Sequence, residues 1–166
     1  MSEIINQGGY ANTGGKTLEK AITGLLTSKG FQEVPYRIYN KNPSRFGTEV
    51  LLRDAPYKTI YNHNGKTEFK LISEKHKLSI RIECKWQQSG GSVDEKFPYL
   101  YLNCIEAMPE KDIIIIYGGK GAKQGAIDWL KKSAKDNKYM LGDTDSKNIQ
   151  VMDLEEFFAW ANKTFR

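Results

Sequence analysis

The sequence predicts an α/β fold: a mixed central sheet with helices on both faces. Three observations predict it. Strand-like segments come early and in local pairs, set apart by turn residues at 62–65 and 74–77. A continuous apolar run, Asp112-Ile-Ile-Ile-Ile-Tyr117, has the character of a strand buried on both faces. Segments of helical periodicity precede, separate and follow the strands. A length of 166 residues suits one domain, spanning 1–166, with a substantial core.

Taken in order, residues 1–16, with Gly8, Gly9, Asn12, Gly14 and Gly15, read as a flexible lead-in. Thr17 can cap a helix over 17–29, because Leu18, Ala21, Ile22, Leu25 and Leu26 recur at helical spacing. Gly30 stops it, and Phe31 begins the next buried stretch. Residues 33–48 carry turn chemistry (Pro35, Asn40, Asn42, Pro43, Gly47) around a short strand or two. A strand over 49–53 is ended by Pro56, and another begins near 59–61. Asn64-Gly65 supplies the expected positive-φ pair of a hairpin turn. Strands at 66–73 and 78–87 flank the 74–77 turn and are expected to pair antiparallel. Ser89-Gly-Gly-Ser92 is a loop, and Ser92-Val-Asp-Glu95 fits a capping box. The helix it opens presents Val93, Phe97, Leu100, Tyr101 and Cys104 on one side, with Pro98 in its first turns, where proline does least harm. After the apolar strand, Gly118-Gly-Lys-Gly121 leads into a helix over 123–134. A short strand at 149–152 and a helix capped by Asp153 and Glu156 close the chain, and Asp143-Thr-Asp145 reads as a turn.

Composition excludes several classes. With 39% hydrophobic and 11% aromatic residues, the chain is too apolar to be disordered. Two cysteines, Cys84 and Cys104, are too few for a disulfide scaffold and suggest a reducing, intracellular and cytoplasmic setting. No apolar run approaches the roughly 20 residues of a membrane span, and the N-terminus lacks a signal-peptide pattern. The formal charge of +5 favours polyanionic partners, but only weakly.

The segment Ser79-Ile-Arg-Ile-Glu-Cys-Lys-Trp-Gln87 carries the chemistry. Alternation along a strand puts Ile80, Ile82, Cys84 and Trp86 on an apolar face. Arg81, Glu83, Lys85 and Gln87 share the other, polar face. A carboxylate and an ammonium side by side suit phosphodiester hydrolysis: the acid can hold a divalent metal, and the lysine can orient or help deprotonate water and offset developing charge. One acid is a poor Mg²⁺ site. Glu68 lies 15 residues before Glu83 and can approach it across a hairpin; Glu19, in the first helix, is a possible third acid. A bare Glu-x-Lys is more often a solvated ion pair, so the neighbouring acid and the apolar opposite face matter.

Glu83-Cys-Lys85, Thr67-Glu68-Phe69 on the preceding strand and the order of elements together resemble the PD-(D/E)XK nuclease superfamily, with its restriction-endonuclease-like αβββαβ core. The resemblance covers about residues 17–135, and the run from Glu83 to Pro98 looks like a stretch found in phage and restriction-type members. Thr67 stands where the family has Pro, and Glu68 where it has Asp. Asp54 is the rival for that second acid. The resemblance implies Mg²⁺, with Mn²⁺ able to substitute, held by Glu68, Glu83 and the Cys84 backbone carbonyl. Glu19 matches the first-helix acid of some members, and Lys85 would position or activate water. Gln87 and Gln88 resemble the polar residues that often follow the lysine.

The expectation is therefore a metal-dependent DNA endonuclease in a bacterial or phage-infected cell, with a homodimer implied if it cuts both strands. A structure-selective nuclease such as a Holliday-junction resolvase, or a nucleic-acid-binding module with a decayed site, are the alternatives. Lys16, Arg45, Arg53, Lys120 and Lys123 are candidate DNA contacts. Gly9-Tyr-Ala-Asn-Thr-Gly-Gly-Lys-Thr17 fails phosphate-loop spacing. Gly118-Gly-Lys-Gly-Ala-Lys123 reads equally as a phosphate-binding turn or a plain tight turn. His63 and His76 fall in turns and are expected to be exposed, with no zinc spacing around them.

Overall fold

At the centre of the fold, β3 (Asn64–Ser73) and β4 (Leu78–Trp86) pair antiparallel about the 74–77 turn, from Ser73↔Leu78 to Phe69↔Ile82. The computed structural model describes residues 7–142 and 146–166, with side chains from residue 13 onward; the Asp143-Thr-Asp145 segment lies outside the described residues. Helix α1 (Gln7–Ser28) is followed by β1 (Gln32–Pro35), α2 (Tyr36–Tyr39), a 3₁₀ turn (Pro43–Arg45) and β2 (Glu49–Lys58). After β4 come α3 (Val93–Glu106), β5 (Asp112–Gly118), α4 (Gln124–Lys135), β6 (Asn148–Met152) and α5 (Leu154–Thr164).

The six strands lie in the order β1-β2-β3-β4-β5-β6. β3 pairs antiparallel with both β2 and β4, whereas β1–β2, β4–β5 and β5–β6 are parallel. This is the mixed sheet the sequence predicts. Strand alternation explains the two helical layers. Ile114 and Ile116 of β5 pack with Ile80 and Ile82 against Leu18, Ile22 and Leu26 of α1 and Phe157 of α5. Ile113 and Ile115 face the other way, onto Phe97, Leu100 and Cys104 of α3 and Leu130 of α4. The four isoleucines of β5 are 0% exposed, and each such side chain contributes about 1.5–3 kcal/mol relative to exposure.

Five local expectations need correction. The first helix starts at Gln7, not Thr17, so residues 7–16 are helical rather than a lead-in. Thr17 does not cap; its hydroxyl donates to Thr13 O at 2.9 Å. The weak helix formers there are held by packing: a Cβ built at Gly14 would overlap the Trp86 indole. Second, β2 runs through Pro56 to Lys58. β1 pairs only as far as Arg53, so Pro56 lies where β2 is an edge strand and its missing N–H breaks no ladder. Third, the hairpin turn sits at 59–63: Asn62 holds the positive φ of 58°, and Asn64 and Gly65 already belong to β3. Fourth, Ser92 makes no side-chain cap, whereas the Asp153–Glu156 box forms both bonds. His76, expected in solvent, is only partly exposed and lays its ring edge-on to Phe165 at 5.1 Å. Among the described residues no helix is long and apolar enough to cross a membrane.

Candidate active site

The β3–β4 register, continued one step beyond Phe69↔Ile82, brings Glu68 level with Glu83. The neighbouring β2 is irregular at the same level. Arg53 pairs Phe69 and Ala55 pairs Thr67, but Asp54 between them turns to φ 56° and is skipped. Alternation on β3 breaks there too. Phe69 packs with Ile82 on the α1 face, while the Thr67 hydroxyl, two residues away, meets Arg81 Nη1 at 3.2 Å on the other face. With the β3–β4 ladder ended, the Cys84 N–H donates instead to Glu68 Oε2 at 2.7 Å. One distortion therefore places the Glu68 carboxylate beside the Glu83-Cys-Lys85 strand.

Glu83 is 5% exposed, with β3 on one side and Ile115 of β5 on the other. Its Oε1 accepts from the Lys85 ammonium. Its Oε2 is buried with no hydrogen-bond partner among the described residues. Burial raises the Glu83 carboxyl, the Lys85 charge lowers it, and the adjoining Glu68 raises it again, to about 7. For Lys85, burial disfavours the ammonium, but the charges of Glu83 and Glu68 outweigh it and raise the group above an ordinary lysine. The Cys84 thiol points into the core, where burial pushes it up, as expected of an inert side chain.

A cleft of about 660 Å³ opens over Glu68 and is lined by Lys16, Glu19, Arg53, Asp54 and Lys66 among others. Glu19 is raised by burial and then by the Glu68 charge, which places it on the same cleft. Asp54 is exposed and paired to Lys66 at 2.7 Å. Among the described residues no group of three or more His, Cys, Asp or Glu forms a ready metal cluster. The donors that do converge are the Glu68 and Glu83 carboxylates, and the unpartnered buried Glu83 Oε2 fits a hard cation better than any protein donor present.

Three residues outside the sequence-predicted site, Arg81, Glu110 and Lys70, hold it. Arg81 Nη2 donates to Glu110 Oε1 at 2.9 Å, and its Nη1 reaches Ala55 O at 2.8 Å beside the skipped Asp54. Lys70 joins Glu110 at 2.9 Å. Arg81 shares a face with Glu83, but that face is buried, with Tyr57 and Glu110 against Arg81, instead of meeting water. Gln87 is buried and acts as a latch: Nε2 donates to Gly121 O at 3.0 Å, and Oε1 accepts from Val93 N at 2.7 Å. That bond takes the place of the missing Ser92 cap. Gln88 is exposed. The glycines at 119 and 121 are explained by close approach, since a Cβ at either would overlap the backbone of Gln87 or Ser89. The Gly121 amide is engaged by Gln87 O at 2.7 Å, which favours the tight-turn reading of that loop over a phosphate nest. Lys16 and Arg53 line the cleft; Arg45, Lys120 and Lys123 lie outside its lining.

A family model described as a PD-(D/E)XK nuclease superfamily domain matches residues 10–165. Comparison with curated proteins and with solved structures returns no match.

Proposed function

The chain belongs to the PD-(D/E)XK nuclease superfamily, and on that premise we propose that it is a divalent-metal-dependent DNA endonuclease with Glu68, Glu83 and Lys85 at its reacting centre. The observation that carries this reading is the buried, unpartnered Glu83 Oε2 beside Lys85 and level with Glu68.

When bound between Glu68, Glu83 and the Cys84 carbonyl, Mg²⁺ or Mn²⁺ would supply Lewis-acid polarisation of the phosphate and a more acidic water. The residues of the chain do the rest. Glu68 is oriented toward β4 by the Cys84 N–H. Lys85, held against Glu83, directs an N–H toward the attacking water and offsets charge on the phosphoryl oxygens. Arg81 and Glu110 lock β4 to the end of β2, so that both carboxylates keep their separation. Glu19 faces the same cleft and would accept a hydrogen bond from a water of the bound ion. The free, buried Cys84 and Cys104 suit a reducing cell interior, and concerted cutting of both strands would be served by two copies of the chain.

The test is incubation with supercoiled plasmid and with a four-way junction, with Mg²⁺, Mn²⁺ or chelator. Metal-dependent cutting that disappears in Glu83→Gln and Lys85→Ala is expected. Cutting of the junction alone would assign a structure-selective nuclease. Binding without cleavage under every divalent metal would sink the enzyme reading and leave a binding module.

A further inference from the structure

The cleft over Glu68 shares a wall with a second one. Arg53, Asp54 and Lys66 line both, and the second cleft, of about 710 Å³, runs from them over β1 and α2 past Arg37 and Lys41. Their charges differ. The first is lined by Lys16, Lys20, Arg53 and Lys66 against Glu19, Glu33, Asp54 and Glu68, which balance. The second sets Arg37, Lys41, Arg53 and Lys66 against Asp54 alone, a surplus of three positive charges. Arg53 and Lys66 are engaged by Glu33 at 2.8 Å and Asp54 at 2.7 Å. Arg37 and Lys41 are exposed and have no acidic partner among the described residues. The local fold presents them outward. Pro35 pairs Arg53 and delivers the chain into α2 beside it, while Tyr36, Tyr39 and Phe46 pack underneath on Val34, Val50 and Leu52.

A phosphodiester entering a charge-balanced, carboxylate-lined cleft has little to hold it there. The adjoining groove supplies what the cleft lacks. We propose that the second groove is the track for the polynucleotide backbone flanking the cleaved bond, with Arg37 and Lys41 contacting phosphates that lead over Arg53 and Lys66 to Glu68. The exposed ion pairs Arg53–Glu33 and Lys66–Asp54 are weak enough to be exchanged for phosphate contacts. This proposal rests on the nuclease reading.

The experiment is fluorescence anisotropy of a labelled DNA duplex with the full chain, in chelator to prevent cutting, over a series of salt concentrations. The double variant Arg37→Ser/Lys41→Ser is expected to bind about tenfold more weakly. Its slope of log K against log salt should fall by up to about 1.8, because each lost phosphate contact removes about 0.9. Lys132→Ser/Lys135→Ser, on α4, removes the same charge and is expected to leave affinity and slope unchanged. Equal binding by wild type and the Arg37/Lys41 variant, or equal loss in the Lys132/Lys135 variant, would overturn the track. Metal-dependent hydrolysis of thymidine 5′-p-nitrophenyl phosphate by the wild-type chain separates the two readings. A site that hydrolyses neither this ester nor DNA defeats the nuclease, whereas a site-specific loss of salt slope still supports the track.

Discussion

Arg81 and Glu110 are joined by a two-pronged ion pair inside the protein, with side chains only 2% and 4% exposed. Burial would raise the Glu110 carboxyl, but hydrogen bonds from Arg81 and Lys70 and their charges reverse this and bring it down to about 2, from an ordinary 4.5. A carboxyl depressed on folding stabilises the native state above its unfolded value, and that stability is lost as pH falls through the folded value. The expected window is therefore between pH 4.5 and 2, and the shift corresponds to about 3 kcal/mol. Thermal melts against pH should show the wild type losing stability across this window. Glu110→Gln should be less stable at neutral pH by about 3–5 kcal/mol, since it leaves Arg81 buried without its anion. It should also be flatter between pH 4.5 and 2. A variant with the wild-type acid profile would show that this pair does not govern acid unfolding.

Metal binding and chemistry should come apart between Glu83 and Lys85. Glu83→Gln removes a proposed ligand, so both cleavage and stabilisation by Mn²⁺ should disappear. Lys85→Ala keeps both carboxylates, so cleavage should fall by about 10²-fold or more while Mn²⁺ still stabilises. At ten times the dissociation constant the stabilisation is about 1.4 kcal/mol, a rise in Tm of about 3–5 °C for a chain of this size. Differential scanning fluorimetry with and without Mn²⁺ reads this directly. Loss of the metal shift in Lys85→Ala would mean that the lysine organises the ligands and is not confined to the reaction.

Asp54 and Glu68 compete for the role of second acid, and their surroundings separate them. Glu68 is tied to the Cys84 N–H at 2.7 Å, whereas Asp54 is exposed and held by Lys66. Asp54→Asn should keep most of the cleavage rate, and Glu68→Gln should lose about 10²-fold or more. Asp54 also holds a φ of 56°, which Asn tolerates better than Ala. Asp54→Ala should accordingly melt earlier, by about 1 kcal/mol. Equal rate losses in Asp54→Asn and Glu68→Gln would make both carboxylates part of the reacting centre.

Much of this arrangement was legible in the residues, and what was not has physical reasons. The 74–77 turn was legible, and with it a hairpin across which 68 can approach 83; the register that brings the two level was not, because it depends on how the strands pair and not on their spacing. The sequence marked the Arg81–Glu83 face as polar and said nothing of its burial. That burial depends on Tyr57 and on Glu110, 29 residues beyond Arg81. The skipped pair at Asp54 has no local signature either, because a positive φ at aspartate is imposed by the strands around it. Pro56 was misleading for the opposite reason: its local tendency to end a strand has no effect where the strand has no partner on that side.

The start of α1 offers the sharpest contrast between propensity and packing. Gly14 lies against the Trp86 indole, one residue beyond Lys85, and Gly118 closes on the same ring from β5. Gly24, ten residues along the same helix, has nothing within 4 Å of an added Cβ. In an exposed helix interior, alanine is favoured over glycine by about 0.5–1 kcal/mol. Gly24→Ala should therefore raise stability by about that amount. Gly14→Ala should lower it by about 1–3 kcal/mol, because the helix must move off the indole to admit one methyl group. That movement carries Glu19 away from Glu68, so Gly14→Ala should also weaken Mn²⁺ stabilisation, which Gly24→Ala leaves intact. Denaturant melts of the two variants, each with and without Mn²⁺, make the comparison. A Gly14→Ala chain as stable as the wild type would mean that α1 does not depend on this contact.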